Sequence, residues 1–308
     1  MNGIAIFYKP KGQTSYDVIR QIKKLLQPKK IGHGGTLDPF AEGVLIIGIN
    51  EGTKQLTQFL KSSKKEYIGV IELGKESNTF DSEGNLSKYL PKINLPRTLL
   101  GKHDIINALN TFKGKTLQTP PKFSAVKISG KPAYKLARQG KEFTIAPKEV
   151  EVIDIELLDY NSPELKLKLL VGSGFYVRSF ANDLGKKLKT GAYLKSLIRT
   201  QVSNFNINQA ISMSDLENDF LELCFKAQGR VQGVLFRDTT RRWAKRLGVN
   251  GKAENLPNGE IEIIAQGKNK NLDELLEKIK KGPIFSRIDS YNYYFRKPQS
   301  KYSKFSIF

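Results

Sequence analysis

The fold is decided by the stretch GHGGTLDPFAEGVLIIGINEGTK, residues 32–54, where a glycine-rich loop passes directly into an apolar run. The run from Val44 to Ile49 is typical of a buried strand. Asp38 lies in the preceding loop and is followed by Pro39. A carboxylate in such a turn has a constrained backbone and little steric cover, which makes Asp38 a candidate nucleophile. An Asp-Pro pair is also common in plain turns, so a purely structural role stays open at this point.

The segments around this stretch predict a mixed α/β chain. A turn at Lys9–Gly12 leads to a helix with Ser15 as its N-cap, and this helix ends before Pro28. Further strands are predicted at 66–73, 150–159 and 165–171, and further helices at 105–112 and 179–188. The strands are too irregularly spaced for a simple βαβ repeat.

Composition points to a polyanionic partner. The 308 residues include 51 Lys and Arg against 30 Asp and Glu, which gives a net charge of +21. This charge predicts nucleic acid binding, although a lysine excess also serves solubility. The lone Cys224 and the distant His33 and His103 exclude a disulfide framework, a four-cysteine zinc site and a His-Glu-x-x-His helix. We expect a cytoplasmic monomer with no metal or cofactor, no signal peptide and no membrane-spanning segment.

Residues 120–149 differ in composition from their surroundings. Two prolines at Pro120–Pro121 open a partly irregular segment with only two acidic residues, Glu142 and Glu149. Its basic residues are Lys122, Lys127, Lys131, Lys135, Arg138, Lys141 and Lys148. Phe123 and Tyr134 are interleaved with them, and this mixture is typical of surfaces that grip nucleic acid. A solvated loop is the alternative.

A new pattern begins at Leu221, so we predict domains at 1–220 and 221–308. The second domain has strands at 221–228, 251–255, 260–266 and 287–295, and helices at 237–247 and 272–280. The order βαββαβ is that of the ferredoxin-like split unit.

Four motifs resemble the TruB family of tRNA pseudouridine synthases. They read KPKGQTSYDVIRQIKK with the loop around Asp38, KEYIGVIELGKESNTFDSEG, QTPPKFSAVKISGKPAYKLARQG and GSGFYVRSFANDLGKKL. The resemblance covers about residues 1–215 and implies a catalytic aspartate at Asp38, an active-site tyrosine at Tyr67 and an acidic turn at Asp81. It also implies that Arg178 pairs with Asp38, which would keep this carboxyl ionised.

The family's reaction is the isomerisation of one uridine, normally uridine 55 in the T-loop of the tRNA T-arm, to pseudouridine. The base must first be flipped out of the loop. Asp38 would attack C1′ directly or the ribose after glycal formation, and both paths stay open. The RNA-binding candidates are Lys9, His33, Lys122, Lys127, Tyr134 and Arg138. Lys9 fits better as a support for the Asp38 loop than as a participant in bond making. The competing class is a tRNA folding chaperone without catalysis.

The C-terminal segment strongly resembles acylphosphatase, an enzyme that hydrolyses carboxyl-phosphate anhydrides, in the sequence AQGRVQGVLFRDTTRRWAKRLGVNGKAENLPNGEIEIIAQG. The fold class implied for the whole chain is therefore α+β, a mixed-sheet synthase domain with a basic RNA-binding insertion, followed by a ferredoxin-like βαββαβ domain. A phosphate cradle is predicted from the turn Gly229, Arg230, Val231, Gln232, Gly233 and Val234. Arg237 would clamp the phosphate and Asn255 would orient the attacking water.

Three positions depart from the usual acylphosphatase pattern, namely Leu235, Lys252 and Glu254. Glu254 points away from the strand face that carries Asn255, so we expect reduced rather than abolished hydrolysis. TruB enzymes usually end in a PUA domain that grips the acceptor stem, and nothing after Leu221 resembles one. The alternative to an enzyme is therefore a tRNA-binding replacement for PUA that uses Arg241, Arg242, Lys245 and Arg246.

Overall fold

The computed structural model describes residues 1–60, 63–89 and 100–308. These residues form two units. The first holds residues 1–39, 43–60 and 205–308, and the second holds residues 40–42 and the described part of 61–204. The first unit thus joins the start of the chain to the predicted second domain, hereafter the C-terminal segment (residues 221–308). The predicted family boundary after residue 220 stays a prediction, since the units follow packing and not ancestry.

The elements in chain order run from the first unit to the second and back. The first unit begins with β1 (Gly3–Lys9), α1 (Ser15–Leu26), β2 (Ile31–Gly34), β3 (Glu42–Ile49) and α2 (Gly52–Leu60). The second contains β4 (Lys65–Leu73), β5 (Lys75–Ser77), β6 (Leu86–Lys88), α3 (Lys102–Asn110), β7 (Gly114–Gln118), β8 (Lys127–Ile128), β9 (Lys131–Pro132), α4 (Ala133–Arg138), β10 (Lys148–Asn161), β11 (Glu164–Val171), α5 (Val177–Lys187) and β12 (Ala192–Val202). The first unit resumes with β13 (Phe205–Asn206), a 3-10 turn (Ile207–Gln209), α6 (Met213–Glu217), β14 (Leu221–Arg230), α7 (Phe236–Arg246), β15 (Asn250–Asn255), β16 (Ile261–Gly267), α8 (Asn269–Lys281), β17 (Arg287–Arg296) and β18 (Phe305–Ile307).

Strand pairing confirms the mixed sheet. In the first unit the strand order is β18-β15-β16-β14-β17-β1-β3, with β2 paired to β3. The β1–β17 and β15–β18 pairs are parallel and the others are antiparallel. In the second unit the order β12-β4-β11-β10-β7 is antiparallel throughout. The predicted βαββαβ order of the C-terminal segment is confirmed, and β18 adds a short strand that the sequence did not predict.

Helix α1 begins one residue earlier than predicted. Thr14 is the N-cap, because its side chain accepts from the Asp17 backbone N–H and the Asp17 carboxylate accepts from the Thr14 backbone N–H. The prediction of Ser15 as the cap was wrong, since this buried hydroxyl bonds to a distant loop instead. Gln27 closes the helix in the left-handed conformation directly before Pro28.

The chain start and the C-terminal segment share one hydrophobic core. Ala5 of β1 lies opposite Phe295 of β17, and both are fully buried in the same cluster. A Cβ on Gly3 would lie 2.4 Å from the Tyr293 ring, so the close approach of the two strands requires glycine there. The C-terminal segment is therefore packed as part of the first unit. No helix among the described residues is long and apolar enough to cross a membrane.

We predict that Phe295→Ala unfolds the chain start together with the C-terminal segment. Removing this fully buried ring should cost about 3–5 kcal/mol of unfolding free energy, measured by urea denaturation. Hydrogen exchange should show the amides of β1 and β14 losing protection together. The matched control is Tyr291→Ala on the same strand, where the exposed ring should cost about 1 kcal/mol or less. If β1 kept its protection in Phe295→Ala, the shared core would not be one cooperative unit.

Candidate active site

The loop that carries Asp38 is held on its amino-terminal side by Ser15. The Ser15 hydroxyl accepts from the Leu37 N–H at 3.0 Å and lies 3.3 Å from the Leu37 carbonyl oxygen, to which it donates. Ser15 is the first residue of α1 and is buried, as is Leu37. The residue directly before Asp38 is thus fixed to the first turn of a helix, while Asp38 itself is partly exposed.

The other side of the loop is held by the turn after β1. The Gly12 N–H donates to the Pro39 carbonyl at 2.8 Å. The Lys9 ammonium donates to the carbonyls of Pro39, at 3.3 Å, and Pro10, at 3.0 Å. Lys9 has no exposed surface, so the prediction that it contacts RNA is wrong and the expected support of the Asp38 loop is what the structure shows.

His33 lies on β2 opposite Ile47, partly buried, four residues before Leu37. Its backbone belongs to the strand pair that leads into the Asp38 loop. Contact of His33 with RNA stays a prediction.

Tyr67 and Arg178 belong to the second unit. Arg178 lies in the first turn of α5, and its guanidinium is 3.2 Å from the Asp81 carboxylate. It also donates to the carbonyls of Thr79, at 3.2 Å, and Phe123, at 2.9 Å. Both charged side chains are almost fully buried, so this ion pair is shielded from water. Asp81 is thus a counterion for Arg178 that the sequence analysis did not identify, and the pairing of Arg178 with Asp38 stays a prediction.

The start of the basic insertion is fixed to the same turn of α5. The Gln118 side-chain amide accepts from the Tyr176 N–H at 2.8 Å and donates to the Tyr176 carbonyl at 3.1 Å. The Ser179 hydroxyl donates to the Thr119 carbonyl at 2.7 Å. Together with the Arg178 bond to Phe123, these contacts set where the insertion leaves the core.

The insertion itself is more ordered than predicted. It contains the β8–β9 hairpin and helix α4, joined by backbone bonds from Ala133 to Val126 and from Tyr134 to Ser124. Lys122 and Lys127 are exposed on it. The Arg138 guanidinium lies 5.7 Å from the centre of the Tyr134 ring, one helical turn away. The two predicted RNA-binding residues on α4 therefore form one cationic and aromatic pair.

In the C-terminal segment, the predicted phosphate cradle is a turn between β14 and α7. Gly229 has a φ of +133°, and a Cβ there would lie 2.3 Å from the Arg287 carbonyl oxygen, so only glycine fits. The Gln232 amide donates to the carbonyls of Leu256, at 3.1 Å, and Glu260, at 3.0 Å, which anchors the turn. The Val231 N–H donates to the Gly229 carbonyl at 3.0 Å. It therefore helps to close the turn, and the binding of an anion by this turn stays a prediction.

Arg237 and Asn255 lie at the same end of this segment. Arg237 is in the first turn of α7 and its guanidinium donates to the Phe308 carbonyl. The Phe308 N–H in turn donates to the Ala253 carbonyl at 3.0 Å, two residues before Asn255. The Asn255 Oδ1 atom is buried, and no residue in the described ranges gives it a hydrogen bond. A buried acceptor of this kind is suited to a water molecule.

Two of the residues that depart from the acylphosphatase pattern pair with each other. The Lys252 ammonium lies 2.6 Å from the Glu254 carboxylate, and this hydrogen bond raises the pKa of Lys252. In the basic cluster on α7, Arg241 and Arg242 both bind Asp238. Lys245 and Arg246 are exposed. Within the part of the chain that the structure describes, no three His, Cys, Asp or Glu side chains are grouped to hold a metal ion.

Comparison with known proteins identifies the family to which residues 23–229 are similar. The model of the TruB family pseudouridylate synthase N-terminal domain matches residues 23–177, and that of the tRNA pseudouridylate synthase B C-terminal domain matches residues 178–229. The chain is 40% identical over 235 residues to tRNA pseudouridine synthase B of Dehalococcoides mccartyi, covering 76% of this chain and 74% of the relative. The chain belongs to the TruB family. The same enzyme of Ureaplasma urealyticum is 44% identical over 215 residues, 69% of this chain and 91% of the relative.

This TruB-family chain also matches the acylphosphatase family model over residues 224–307. Among solved structures, a Cbf5-Nop10-Gar1 complex is similar with a TM-score of 0.53 and 21% identity, covering 94% of this chain and 84% of the matched chain. At this identity the likeness concerns the fold alone, and it agrees with the predicted mixed-sheet architecture.

Two cations near Tyr67 in the TruB part escaped the sequence analysis. Arg199 lies opposite Tyr67 on the neighbouring strand β12, and Lys65 lies two residues before Tyr67 on the same face of β4. All three side chains are buried. Burial lowers the pKa of Lys65 to about 8, and the positive charge of Arg199 is the second, smaller cause. The available signal was the alternation of β4, which puts Lys65 on its buried face.

We predict that Lys65 contributes stability that rises with pH above 8, against the opposite contribution of the buried Cys224 and Tyr193, whose pKa values are raised by burial. Its pKa is about 8 in the fold and 10.5 in the unfolded chain, so between these values the unfolded chain binds the extra proton and the fold gains stability as pH rises. Lys65→Met should remove this rising contribution from the dependence of the urea midpoint on pH, and it should raise the midpoint at pH 7. The exposed neighbour offers the matched control, Lys64→Met, which should keep the wild-type pH slope. Equal slopes in wild type and Lys65→Met would contradict the assignment.

Proposed function

We propose that the chain isomerises uridine 55 in the T-loop of tRNA to pseudouridine, with Asp38 as the nucleophile. The observation that carries this proposal is the fixed Asp38 loop, bound on one side by Ser15 and on the other by Gly12 and Lys9. A carboxylate held at both flanks has little orientation left to lose when it attacks. The two relatives named above carry tRNA in their names, and this supports the substrate class.

The chemistry needs one bond exchanged for another. The C1′–N1 glycosidic bond breaks, the freed uracil turns, and a C1′–C5 bond forms, after which C5 loses its proton and N1 gains one. Asp38 attacks C1′ directly or the ribose after glycal formation, and both paths remain compatible with the loop. Tyr67 stacks on the flipped base and helps to take the C5 proton. Arg178 holds the Asp38 carboxyl ionised.

The basic insertion supplies the contacts that offset base flipping. Extruding a nucleotide costs a few kcal/mol, roughly, in lost stacking. The exposed Lys122 and Lys127, with the Arg138–Tyr134 pair, offer phosphate and stacking contacts. Because the root of the insertion is bonded to the turn that carries Arg178, RNA bound by the insertion is positioned relative to Arg178.

We predict that Asp38→Asn abolishes pseudouridine formation and leaves tRNA affinity within about threefold, because one neutral side chain removes the nucleophile but few phosphate contacts. Product is measured by mass spectrometry of digested tRNA transcript, and affinity by filter binding. Asp154→Asn, an exposed carboxylate of the second unit, is the control and should form product normally. If Asp38→Asn lost both product formation and tRNA binding, Asp38 would have a structural role. If the wild-type protein bound tRNA but formed no pseudouridine, the chain would be a tRNA folding chaperone.

A second activity is favoured by a separate observation in the C-terminal segment. The buried, unbonded Asn255 Oδ1 lies on the strand whose Ala253 is linked through Phe308 to Arg237. We propose that this site hydrolyses acyl phosphates. Arg237 binds the phosphoryl oxygens, and Asn255 accepts a hydrogen bond from the attacking water and orients it. The water oxygen bonds to phosphorus, the P–O bond to the acyl group breaks, the acyl group leaves as a carboxylate, and the water's proton passes to the released phosphate. An RNA clamp has no use for an acceptor at Asn255.

We predict that Arg237→Ala lowers benzoyl phosphate hydrolysis by the full chain about 10²- to 10³-fold, because it removes the charge that stabilises the transferring phosphoryl group. Release of benzoate is followed by ultraviolet absorbance. Arg20→Ala, an exposed arginine on α1 in the same unit, is the control and should leave the rate unchanged. A wild-type rate equal to the uncatalysed background would instead favour a tRNA-binding role for this segment.

A further inference from the structure

The exposed apolar side chains of the C-terminal segment gather at one end. Among the described residues of this segment, the large apolar side chains that face solvent are Leu235, Ile284, Phe285, Tyr291 and Phe308. Four of them lie at the cradle: Leu235 ends the turn, Phe308 accepts the Arg237 bond, and Ile284 and Phe285 precede the β17 residue that pairs with Arg230. Apolar surface gathered at one anion site indicates a ligand with an apolar part.

Leu235 is unfavourable in two ways. Its backbone is left-handed, with a φ of +60°, which strains a non-glycine residue. Its side chain is 69% exposed, so burial within the chain does not offset this strain. The neighbours Val234 and Phe236 are buried, so the turn directs Leu235 to the outside between two core residues. Strain kept at a functional site indicates a use for the side chain.

The loop of residues 282–286 brings the second part of this surface. A Cβ built on Gly282 would lie 3.4 Å from the Phe236 ring. The loop therefore lies against the residue that follows Leu235. Ile284 is 95% exposed and Phe285 is 71% exposed on this loop. Gly229 and Arg287 fix the same loop to the cradle from the other side, through the pairing of β14 with β17.

We propose that Leu235 and the loop of residues 282–286 form an apolar lip that binds the acyl group, so that the substrates are acyl phosphates with a large apolar or aromatic acyl part. The proposal rests on the acyl phosphate hydrolysis proposed above. The cradle takes the phosphoryl group of such a molecule, and the lip lies beside it, where the acyl group emerges. Leu235 is therefore a specificity-determining residue.

A large apolar acyl group fits this lip better than an RNA base does. Bases stack between flat aromatic faces, whereas most of this lip is the branched aliphatic surface of Leu235 and Ile284, with Phe285 as its one aromatic ring. The lip itself is uncharged, because Leu235 and residues 282–286 carry no ionisable side chain. An uncharged lip beside an anion cradle is complementary to a molecule with one anionic and one apolar end.

Hydrolysis of two substrates by the full chain tests the proposal. The wild type should prefer benzoyl phosphate to acetyl phosphate in kcat/KM, and Leu235→Gly and Phe285→Ala should each lower this preference about 5- to 20-fold, with acetyl phosphate hydrolysis within about twofold of wild type. Glycine suits the left-handed backbone, so Leu235→Gly should fold at least as stably as the wild type. Phe220→Ala is the control, because this exposed ring precedes β14 at the end away from the cradle. An unchanged preference in both variants would overturn the proposal.

A binding experiment separates failure of this proposal from failure of the hydrolytic function. Benzylphosphonate and methylphosphonate share the anion and differ in the apolar part, and calorimetry should give the wild type a tighter Kd for benzylphosphonate that Leu235→Gly weakens about 5- to 20-fold. This result with no hydrolysis would retain the lip and reject the enzyme. Equal affinity for both phosphonates would overturn the lip even if hydrolysis were found. Loss of tRNA affinity in Leu235→Gly, with phosphonate binding unchanged, would assign the surface to RNA and also overturn it.

Discussion

The parallel pairing of β1 with β17 is the contact on which both halves of the chemistry depend. β1 ends at Lys9, the buried cation that bonds to the carbonyl after Asp38. β17 begins opposite Arg230, where the phosphate turn leaves β14. The strand that leads to the proposed nucleophile, Asp38, and the strand that borders the proposed phosphate cradle are therefore neighbours in one sheet. A TruB-family sequence and an acylphosphatase-like sequence have become one folding unit at this point.

The synthase part places its charges where water has little access. Lys9, Lys65, Arg178 and Arg199 are all buried, although isolated buried cations are costly. For Arg178 the cost is met by Asp81 and two carbonyls, and for Lys9 by two carbonyls. For Lys65 the cost of burying the charge is not fully offset, as its lowered pKa indicates. The lysines proposed to contact RNA are exposed on the insertion, whereas these four cations lie inside the protein.

Sequence patterns predicted those features that depend on local order. The apolar run at Val44–Ile49 predicted β3, and the alternation and spacing after Leu221 predicted the order of the C-terminal segment. Adjacent Thr14 and Ser15 are both good N-caps, and only the position of the Asp38 loop decides between them. β18 is too short to leave a pattern. The Arg178–Asp81 pair joins residues far apart in sequence, so no local spacing could reveal it.

The position of β17 also bears on solubility. Between β3 and β17, both faces of β1 are buried, and Ile4 and Ile6 have no exposed surface. A strand of this composition left without its outer neighbour presents a row of open N–H and C=O groups to other molecules, which is the usual start of edge-to-edge aggregation. The C-terminal segment covers that edge. By pairing with β1, its strand β17 occupies the position at which a second chain could otherwise add.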